Sequence, residues 1–312
     1  MRKTLLTLLI VSLFQLGFGQ SDTVLLNTDV GSLSGTLLLP EKLESKCPVA
    51  LIIAGSGPTD RDGNNPLING KNNSLKMLAE GLVEGGVASL RYDKRGLGLS
   101  QGAAIAEADL RFDHFVDDAK AWITLLKNDD RFSEVIVMGH SEGSLIGMIA
   151  AKEAQADRYV SLAGAGQPAD KILREQFSMQ SEFIKNEATA VLDSLVIGKT
   201  KPDVNPLLFS IFRPAIQPYL ISWMQKDPQK IIKSLSIPVL IVQGTTDIQV
   251  GEGEAKLLKA ANPSAELLLI EGMSHILKAG PKDRMANYAT YGDPSLALKS
   301  ELLPGILHFI KK

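Results

Sequence analysis

A serine between two glycines is the feature of this 312-residue chain with the clearest chemical potential. The stretch is GHSEG at residues 139–143. The apolar run 134–138 before it is typical of a buried strand, and the small and apolar residues 144–154 after it are typical of a helix. G-x-S-x-G between a strand and a helix predicts a turn so sharp that the serine backbone is strained and its hydroxyl is exposed. The sequence therefore predicts Ser141 as a nucleophile.

A serine hydroxyl is a weak nucleophile unless a base takes its proton, and a carboxylate usually orients that base. When the serine lies on a strand–turn–helix elbow, the acid and then the histidine follow it in the chain. Asp247 follows the predicted strand 239–243, and His275 follows the predicted strand 266–270. We therefore predict Asp247 as the orienting acid and His275 as the base.

The alternatives to these two residues are few. Asp247 also fits the N-cap of a helix that begins near Val250, in which case Glu252 and Glu254 are the reserve carboxylates. The remaining histidines are less suitable, because none follows a late strand. They are His114 near a helix start, His140 inside the elbow with its side chain expected to point away from the hydroxyl, and His308 in the last helix.

Strands and helices alternate along the chain, and this pattern predicts how the three side chains are positioned. Two strand-like segments near the N-terminus are joined by a short turn and predict an antiparallel hairpin. The later alternation predicts a mostly parallel sheet with helices on both faces, an α/β architecture. The predicted strands are 23–28, 32–39, 49–54, 87–92, 134–138, 159–163, 239–243 and 266–270, and the predicted helices are 74–84, 112–126, 144–154, 254–261 and 296–310.

A segment of helical and proline-containing sequence at about 167–235 interrupts this alternation. It carries many large apolar side chains and lacks a strong strand pattern. We interpret it as a helical cap over the carboxyl ends of the strands, where open α/β sheets bind ligands. The alternative is a set of ordinary crossover helices.

The N-terminus has the pattern of a signal peptide. Arg2 and Lys3 precede an apolar run from Leu5 to Leu16, and small residues follow. We predict that residues 1–19 are removed and that residues 20–312 form the mature domain. The run is shorter than the roughly 20 apolar residues that span a bilayer. The expected location is therefore outside the cytoplasm, periplasmic or secreted, although a buried N-terminal helix is the alternative.

Composition narrows the class of protein. A formal charge of −2 gives no support for nucleic acid as a partner. A single cysteine, Cys47, cannot form an internal disulfide. The sequence lacks an H-E-x-x-H motif, paired cysteines and closely spaced histidines, so we predict neither a metal nor a cofactor. The sequence does not indicate an oligomeric state.

Five stretches together resemble the α/β-hydrolases, and specifically the secreted bacterial carboxylesterase and serine-aminopeptidase-like branch. They are GSGPTDRDGN at 55–64, YDKRGLGLS at 92–100, the elbow at 139–143, GTTD at 244–247 and SH at 274–275. The resemblance covers most of the chain from about residue 48 onward, apart from the cap. It implies an α/β-hydrolase fold, and a structural loop beside the site formed by Asp93, Arg95, Gly96, Gly98 and Ser100.

The resemblance also implies an oxyanion hole made of two backbone N–H groups. One belongs to Glu142, the residue after the nucleophile, and the other to Ser56 by analogy with the His-Gly turn of these enzymes, with Gly57 as the alternative. This chain departs from that turn because Ala54 stands where the histidine is usual. The side chain of Glu142 is expected to interact favourably with the helix dipole, and a substrate-binding role is the alternative.

The resemblance and the ordered triad together predict a serine hydrolase that cleaves small carboxylic esters through an acyl-enzyme. An exopeptidase of the aminopeptidase type, using the same triad, is the first alternative. It would need carboxylates to bind a free ammonium group, and the cap offers Glu175, Glu182, Glu187 and Asp193. A binding protein without catalysis is the second alternative, and the complete triad argues against it.

Overall fold

The computed structural model describes residues 21–42 and 45–312, and these residues build one eight-stranded sheet. The predicted signal peptide, residues 1–19, lies outside the described residues. The strands are β1 Ser21–Thr28, β2 Gly31–Leu38, β3 Cys47–Ile53, β4 Ala88–Tyr92, β5 Phe132–His140, β6 Arg158–Leu162, β7 Val239–Gly244 and β8 Glu266–Ile270.

The order across the sheet is β1-β2-β4-β3-β5-β6-β7-β8. β2 pairs antiparallel with both β1 and β4, and the remaining neighbours are parallel. The predicted mostly parallel sheet with an N-terminal antiparallel hairpin is therefore confirmed.

Helices cover both faces of this sheet. They are α1 Ser74–Glu84, α2 Phe112–Lys127, α3 Glu142–Glu153, α4 Ala169–Ser178, α5 Glu182–Val196, α6 Phe209–Phe212, α7 Gln217–Met224, α8 Pro228–Lys233, α9 Glu252–Ala261, α10 Arg284–Ala289 and α11 Leu302–Ile310.

The central strands are buried on both faces, which explains their continuous apolar runs. Successive residues of β3 belong to two different cores. Leu51 packs in the core that contains Trp122 of α2, whereas Ile52 packs in the core that contains Leu78 of α1. Side chains alternate across a strand, so one apolar run supplies both cores.

Five helices, α4 to α8, occupy the segment between β6 and β7 where the sequence predicts a cap. α8 packs beside α3 and α9, as a crossover helix does. α4, α5 and α7 pack on one another, and α7 also packs against α2. The segment thus combines one crossover-like helix with a helical layer of its own.

The last helix is shorter than predicted. The sequence pattern predicts a helix over 296–310, whereas α11 begins at Leu302. Pro304 lacks an N–H and is tolerated only in the first turn, where N–H groups have no intrahelical acceptor. The helix therefore begins shortly before the proline, and Leu298 instead forms an antiparallel bridge with Lys278.

Candidate active site

Ser141 occupies the predicted sharp turn between β5 and α3. Its backbone has φ 56° and ψ −121°, a conformation that non-glycine residues rarely adopt, and its N–H donates to the Leu162 carbonyl at 2.9 Å. A Cβ on Gly139 would lie 2.1 Å from the Gly143 oxygen, and a Cβ on Gly143 would lie 2.4 Å from the Ile53 oxygen. Both flanking positions therefore require glycine, because the turn packs directly against the neighbouring backbone.

Asp247 and His275 form a buried hydrogen-bonded pair beyond the ends of β7 and β8. His275 Nδ1 lies 2.8 Å from Asp247 Oδ2, and Gln243 Nε2 donates to the same oxygen at 3.1 Å. Because Oδ2 is a carboxylate oxygen, His275 Nδ1 is the donor and Nε2 is left to accept a proton. The structure thus joins the two residues that the sequence predicts as acid and base.

The second oxygen of Asp247 has the capping role considered as an alternative. Oδ1 accepts from the N–H groups of Gln249 at 2.8 Å and Val250 at 3.0 Å, just before α9. Burial acts to raise the pKa of Asp247, but the positive charge and hydrogen bond of His275, together with these amides, hold it below its ordinary value. Asp247 therefore remains ionised and fixed in place.

The reserve carboxylates have other partners. Glu254 accepts from the Gly166 N–H and from Gln167 Nε2, each at 2.8 Å, and so ties α9 to the loop before α4. Glu252 pairs with Lys256 one helical turn away. Neither carboxylate is a hydrogen-bond partner of His275 in the part of the chain that the structure describes.

His140 connects the elbow to the loop that carries His275. The His140 ring centroid lies 4.8 Å from that of His275, and its Nε2 donates to the His275 carbonyl at 2.7 Å. No hydrogen bond joins Ser141 Oγ to His275 within the described residues. Catalytic hydrogen bonds are often long without substrate and tighten in the complex. The observation that matters here is that the loop of His275 lies against the elbow through His140. The structure therefore brings Ser141 and His275 to one edge of the sheet.

Burial of His140 predicts a pH-dependent stability. Burial, and secondarily the charge of His275, lower the pKa of His140 to about 4 from an unfolded value near 6.5. The unfolded chain therefore binds more protons between these pH values, and the free energy of unfolding falls as the pH falls through this window. From pH 7 to pH 5 this effect amounts to about 2 kcal/mol.

We expect urea denaturation of a His140→Gln variant to lack this contribution, because glutamine does not titrate and its amide can still donate to the His275 carbonyl. The matched measurement is the same pH series on the unmodified chain. Equal losses in the two proteins would contradict the assignment to His140.

Two backbone N–H groups are available for an oxyanion beside Ser141. Within residues 21–42 and 45–312, the amides of Ser56 and Glu142 donate to no protein acceptor. Gly55, which precedes Ser56, packs so closely on the elbow that a Cβ there would lie 3.2 Å from Ser141 Cβ. The Gly57 amide is equally free among the described residues, so that alternative stays open.

The loop after β4 has the structural role that the resemblance implies. Asp93 accepts from the backbone N–H of Arg61 at 2.9 Å, from its guanidinium at 2.8 Å and from the Leu99 N–H at 3.0 Å. Ser100 Oγ donates to the Asp93 carbonyl at 2.8 Å. Asp93 thereby fastens this loop to the long loop after β3, which carries the candidate oxyanion amide.

Three polar contacts near the site were not predicted from the sequence. The side chain of Glu142, for which the helix dipole or a substrate contact was expected, is buried and accepts from Lys94 Nζ at 3.2 Å and from the hydroxyl of Tyr219. Lys94 also donates to the carbonyl of Gly55. The signal for Lys94 in the sequence was its position two residues after β4, at the same sheet edge as the elbow.

Among residues 21–42 and 45–312, no group of three or more His, Cys, Asp or Glu side chains is arranged to hold a metal ion. Over the same residues, the helices are all too short or too polar to cross a bilayer.

The sheet, the elbow and the Asp–His pair together define the α/β-hydrolase fold. Residues 69–279, more than half of the chain, match the profile of the family described as serine aminopeptidase, S33. The chain belongs to this family.

Individual proteins are similar to this chain over most of its length. The chain is similar to esterase EstD of Thermotoga maritima, with 28% identity over 255 residues, 80% of this chain and 59% of EstD. It therefore spans less than two thirds of the length of this curated relative. Among solved structures it resembles Est1E of Butyrivibrio proteoclasticus with bound ferulic acid, at 19% identity and a TM-score of 0.63, covering 93% of this chain and 100% of that one.

A second solved structure carries the same fold. The α/β-hydrolase GrgF of a Penicillium species is 16% identical with a TM-score of 0.61, covering 94% of this chain and 98% of that one. At these identities the likeness concerns the fold alone. The predicted α/β-hydrolase fold is confirmed.

Proposed function

We propose that this chain is a carboxylesterase that cleaves small carboxylic esters through a covalent acyl-enzyme, with Ser141, Asp247 and His275 as its catalytic triad. The observation that carries the proposal is the buried Asp247–His275 pair, joined through His140 to the strained elbow of Ser141. The similarity to esterase EstD supports ester bonds as the target.

The contacts lead to a two-step mechanism. Ser141 Oγ attacks the ester carbonyl carbon while His275 Nε2 takes its proton, and the amides of Glu142 and Ser56 hold the developing oxyanion. The intermediate collapses, the C–O bond to the alcohol breaks, and His275 returns the proton to the leaving alcohol. Water then attacks the acyl-enzyme by the same route and releases the acid.

Asp247 acts on the base rather than on the substrate. It keeps the proton of neutral His275 on Nδ1, so that Nε2 faces the serine as an acceptor, and it stabilises the imidazolium that forms. Because both oxygens of Asp247 have further fixed donors, the carboxylate needs no rearrangement during the reaction.

The aminopeptidase alternative draws its support from the family description. Such an enzyme needs an uncompensated carboxylate to bind the substrate ammonium, and the acidic residues suggested for this role fit it poorly. Glu175 and Glu182 are exposed, Glu187 is half-buried, and Asp193 pairs with Arg174 at 2.6 Å. We therefore rank esters first.

The deciding experiment compares two substrate classes on one preparation of the protein. We expect hydrolysis of p-nitrophenyl acetate and butyrate to exceed that of aminoacyl p-nitroanilides in kcat/KM, and a fluorophosphonate probe to label Ser141. A preference for anilides would favour the exopeptidase. Absence of both turnover and labelling would instead support a binding protein.

We further propose that the enzyme is exported and acts in the periplasm or outside the cell. The support is the N-terminal pattern, with Arg2 and Lys3 ahead of the apolar run. Removal of residues 1–19 would take away Arg2 and Lys3 but no acidic residue, which leaves 31 of the 33 basic residues and all 35 acidic residues. Mass spectrometry of the N-terminal peptide of exported protein tests this proposal, with Gln20 as the expected first residue.

A further inference from the structure

A buried lysine contacts the loop after β3 that carries Gly55 and Ser56, which we call the oxyanion loop. The Lys94 side chain is only 3% exposed, and its ammonium donates to the Gly55 carbonyl and to Glu142 Oε2, the latter at 3.2 Å. The same ammonium lies 5.2 Å from the centroid of the Phe115 ring, on α2. Lys94 therefore contacts the oxyanion loop, the first residue of α3 and the adjoining core.

The partner carboxylate is equally withdrawn from water. The Glu142 side chain is 2% exposed, and its other oxygen, Oε1, accepts from the Tyr219 hydroxyl of α7. Burial, and then the negative charge of Glu142, raise the pKa of Tyr219 far above its ordinary value. The hydroxyl thus stays protonated as a donor. Lys94, Glu142 and Tyr219 form a continuous buried network, which we call the Lys94 network.

The geometry of a peptide bond gives this network a consequence for the site. In a trans peptide the C=O and the following N–H lie in one plane and point in opposite directions. Lys94 holds the Gly55 carbonyl, and therefore fixes the direction of the Ser56 N–H in the same peptide. That N–H has no protein acceptor among the described residues, and Gly55 itself packs against Ser141.

We propose that Lys94 is a positioning residue for the oxyanion hole, because its bond to the Gly55 carbonyl orients the Ser56 amide toward the developing oxyanion. Glu142 is the counter-ion of Lys94, and Tyr219 links this pair to α7. This inference rests on the proposed ester hydrolysis. Burying an ion pair removes both charges from water, and an apolar pair could fill the same space. The directional bond to the oxyanion loop is what an apolar pair could not supply.

The test separates positioning from charge balance. Lys94→Met removes the ammonium but leaves Glu142 buried without its partner, so the protein could be destabilised for that reason alone. The double variant Lys94→Met/Glu142→Gln also removes the buried charge. We expect both variants to lose about 10²-fold in kcat for p-nitrophenyl butyrate with KM within about threefold, since losing one oxyanion donor costs about that much.

A second readout reports on the oxyanion directly. A trifluoromethyl ketone adds to the serine and forms a tetrahedral adduct with a negative oxygen. We expect its inhibition constant to rise in the double variant by the same factor as kcat/KM falls, because both depend on the same amide. The affinity of an aliphatic alcohol product, which has no negatively charged oxygen, should change little.

A matched control removes another buried ion pair, which joins the loop after β4 to α2. Arg95 Nε donates to Asp118 at 2.8 Å, and neither residue is a hydrogen-bond partner of Gly55. Arg95→Met/Asp118→Asn should keep kcat within about threefold, whereas the Lys94 double variant should not. Tyr219→Phe, which leaves the Lys94–Glu142 pair intact, should lose less activity than Lys94→Met.

The inference is overturned if a folded Lys94→Met/Glu142→Gln variant retains kcat and inhibitor affinity. It is also overturned if the Arg95→Met/Asp118→Asn control loses as much activity as the Lys94→Met/Glu142→Gln variant. Both results presuppose an unmodified chain whose ester turnover depends on Ser141. Absence of that turnover would instead overturn the proposed function, so the two failures are distinguishable.

Discussion

Replacing Ser141 by alanine is expected to lower kcat for p-nitrophenyl butyrate by about 10⁶-fold, the scale seen when the nucleophile of a serine hydrolase is deleted. Without Oγ no acyl-enzyme forms, and the oxyanion amides and bound substrate supply only the remaining acceleration. The fold should persist. Alanine keeps the Cβ, so the backbone strain at this position is unchanged, and the N–H can still donate to Leu162. Initial rates corrected for spontaneous hydrolysis measure the loss.

The matched control is a serine in α3, the helix that follows Ser141. Ser144 is buried in α3, and its hydroxyl lies 2.7 Å from the Tyr159 hydroxyl and 2.9 Å from that of Ser161. Ser144→Ala removes a buried hydroxyl close to the elbow without touching the nucleophile, and kcat should change by only a few-fold. A Ser141→Ala protein that retains near-native turnover would refute the proposed mechanism.

The sequence predicted best the strands and helices that are marked by a continuous run of apolar residues or by a glycine at their end. The predicted strand 49–54 corresponds to β3 Cys47–Ile53, because a parallel strand covered on both faces must be apolar throughout. The predicted helix 74–84 corresponds to α1 Ser74–Glu84, whose end is marked by Gly86 with φ 85°. Such signals are local, so a single sequence carries them.

The order of the strands was not readable in the same way. β2 precedes β3 in the chain but pairs with β4, and this choice depends on how the whole sheet assembles. The last helix shows a different failure. The apolar periodicity before Pro304 continues through Leu298, yet that residue pairs with Lys278 rather than joining the helix. Periodicity alone does not distinguish a helical turn from an isolated bridge.

Part of the candidate site was likewise predictable from the sequence, and part of it depends on the folded structure. The chemistry of serine, acid and histidine and their order along the chain predicted Ser141, Asp247 and His275, and the structure pairs the last two directly. The Lys94 network was not predicted, because its contacts join segments 39, 48 and 77 positions apart. A lysine followed by an arginine in a loop has the pattern of a solvated surface, and only the folded structure shows that Lys94 is buried.

Asp247→Asn is expected to lower kcat by about 10⁴-fold while leaving the loop in place. The asparagine oxygen can still accept from the amides of Gln249 and Val250, so its Nδ2 takes the position of Oδ2 facing His275 Nδ1. Gln243 Nε2 loses that acceptor but can still donate to the Val250 carbonyl. A donor there makes Nδ1 the acceptor and moves the ring proton to Nε2. His275 can then no longer accept the proton of Ser141, and the loss falls on kcat rather than on KM.

The control for this change is an aspartate with the same capping geometry and no hydrogen bond to His275 among the described residues. Asp227 accepts from the N–H groups of Gln229 at 3.1 Å and Lys230 at 3.3 Å at the start of α8. Asp227→Asn therefore repeats the carboxylate-to-amide change in a comparable turn, and its kcat should stay within a few-fold of the unmodified chain. If Asp247→Asn behaved like this control, Asp247 would be a capping residue only, and the base would have to be oriented by another group.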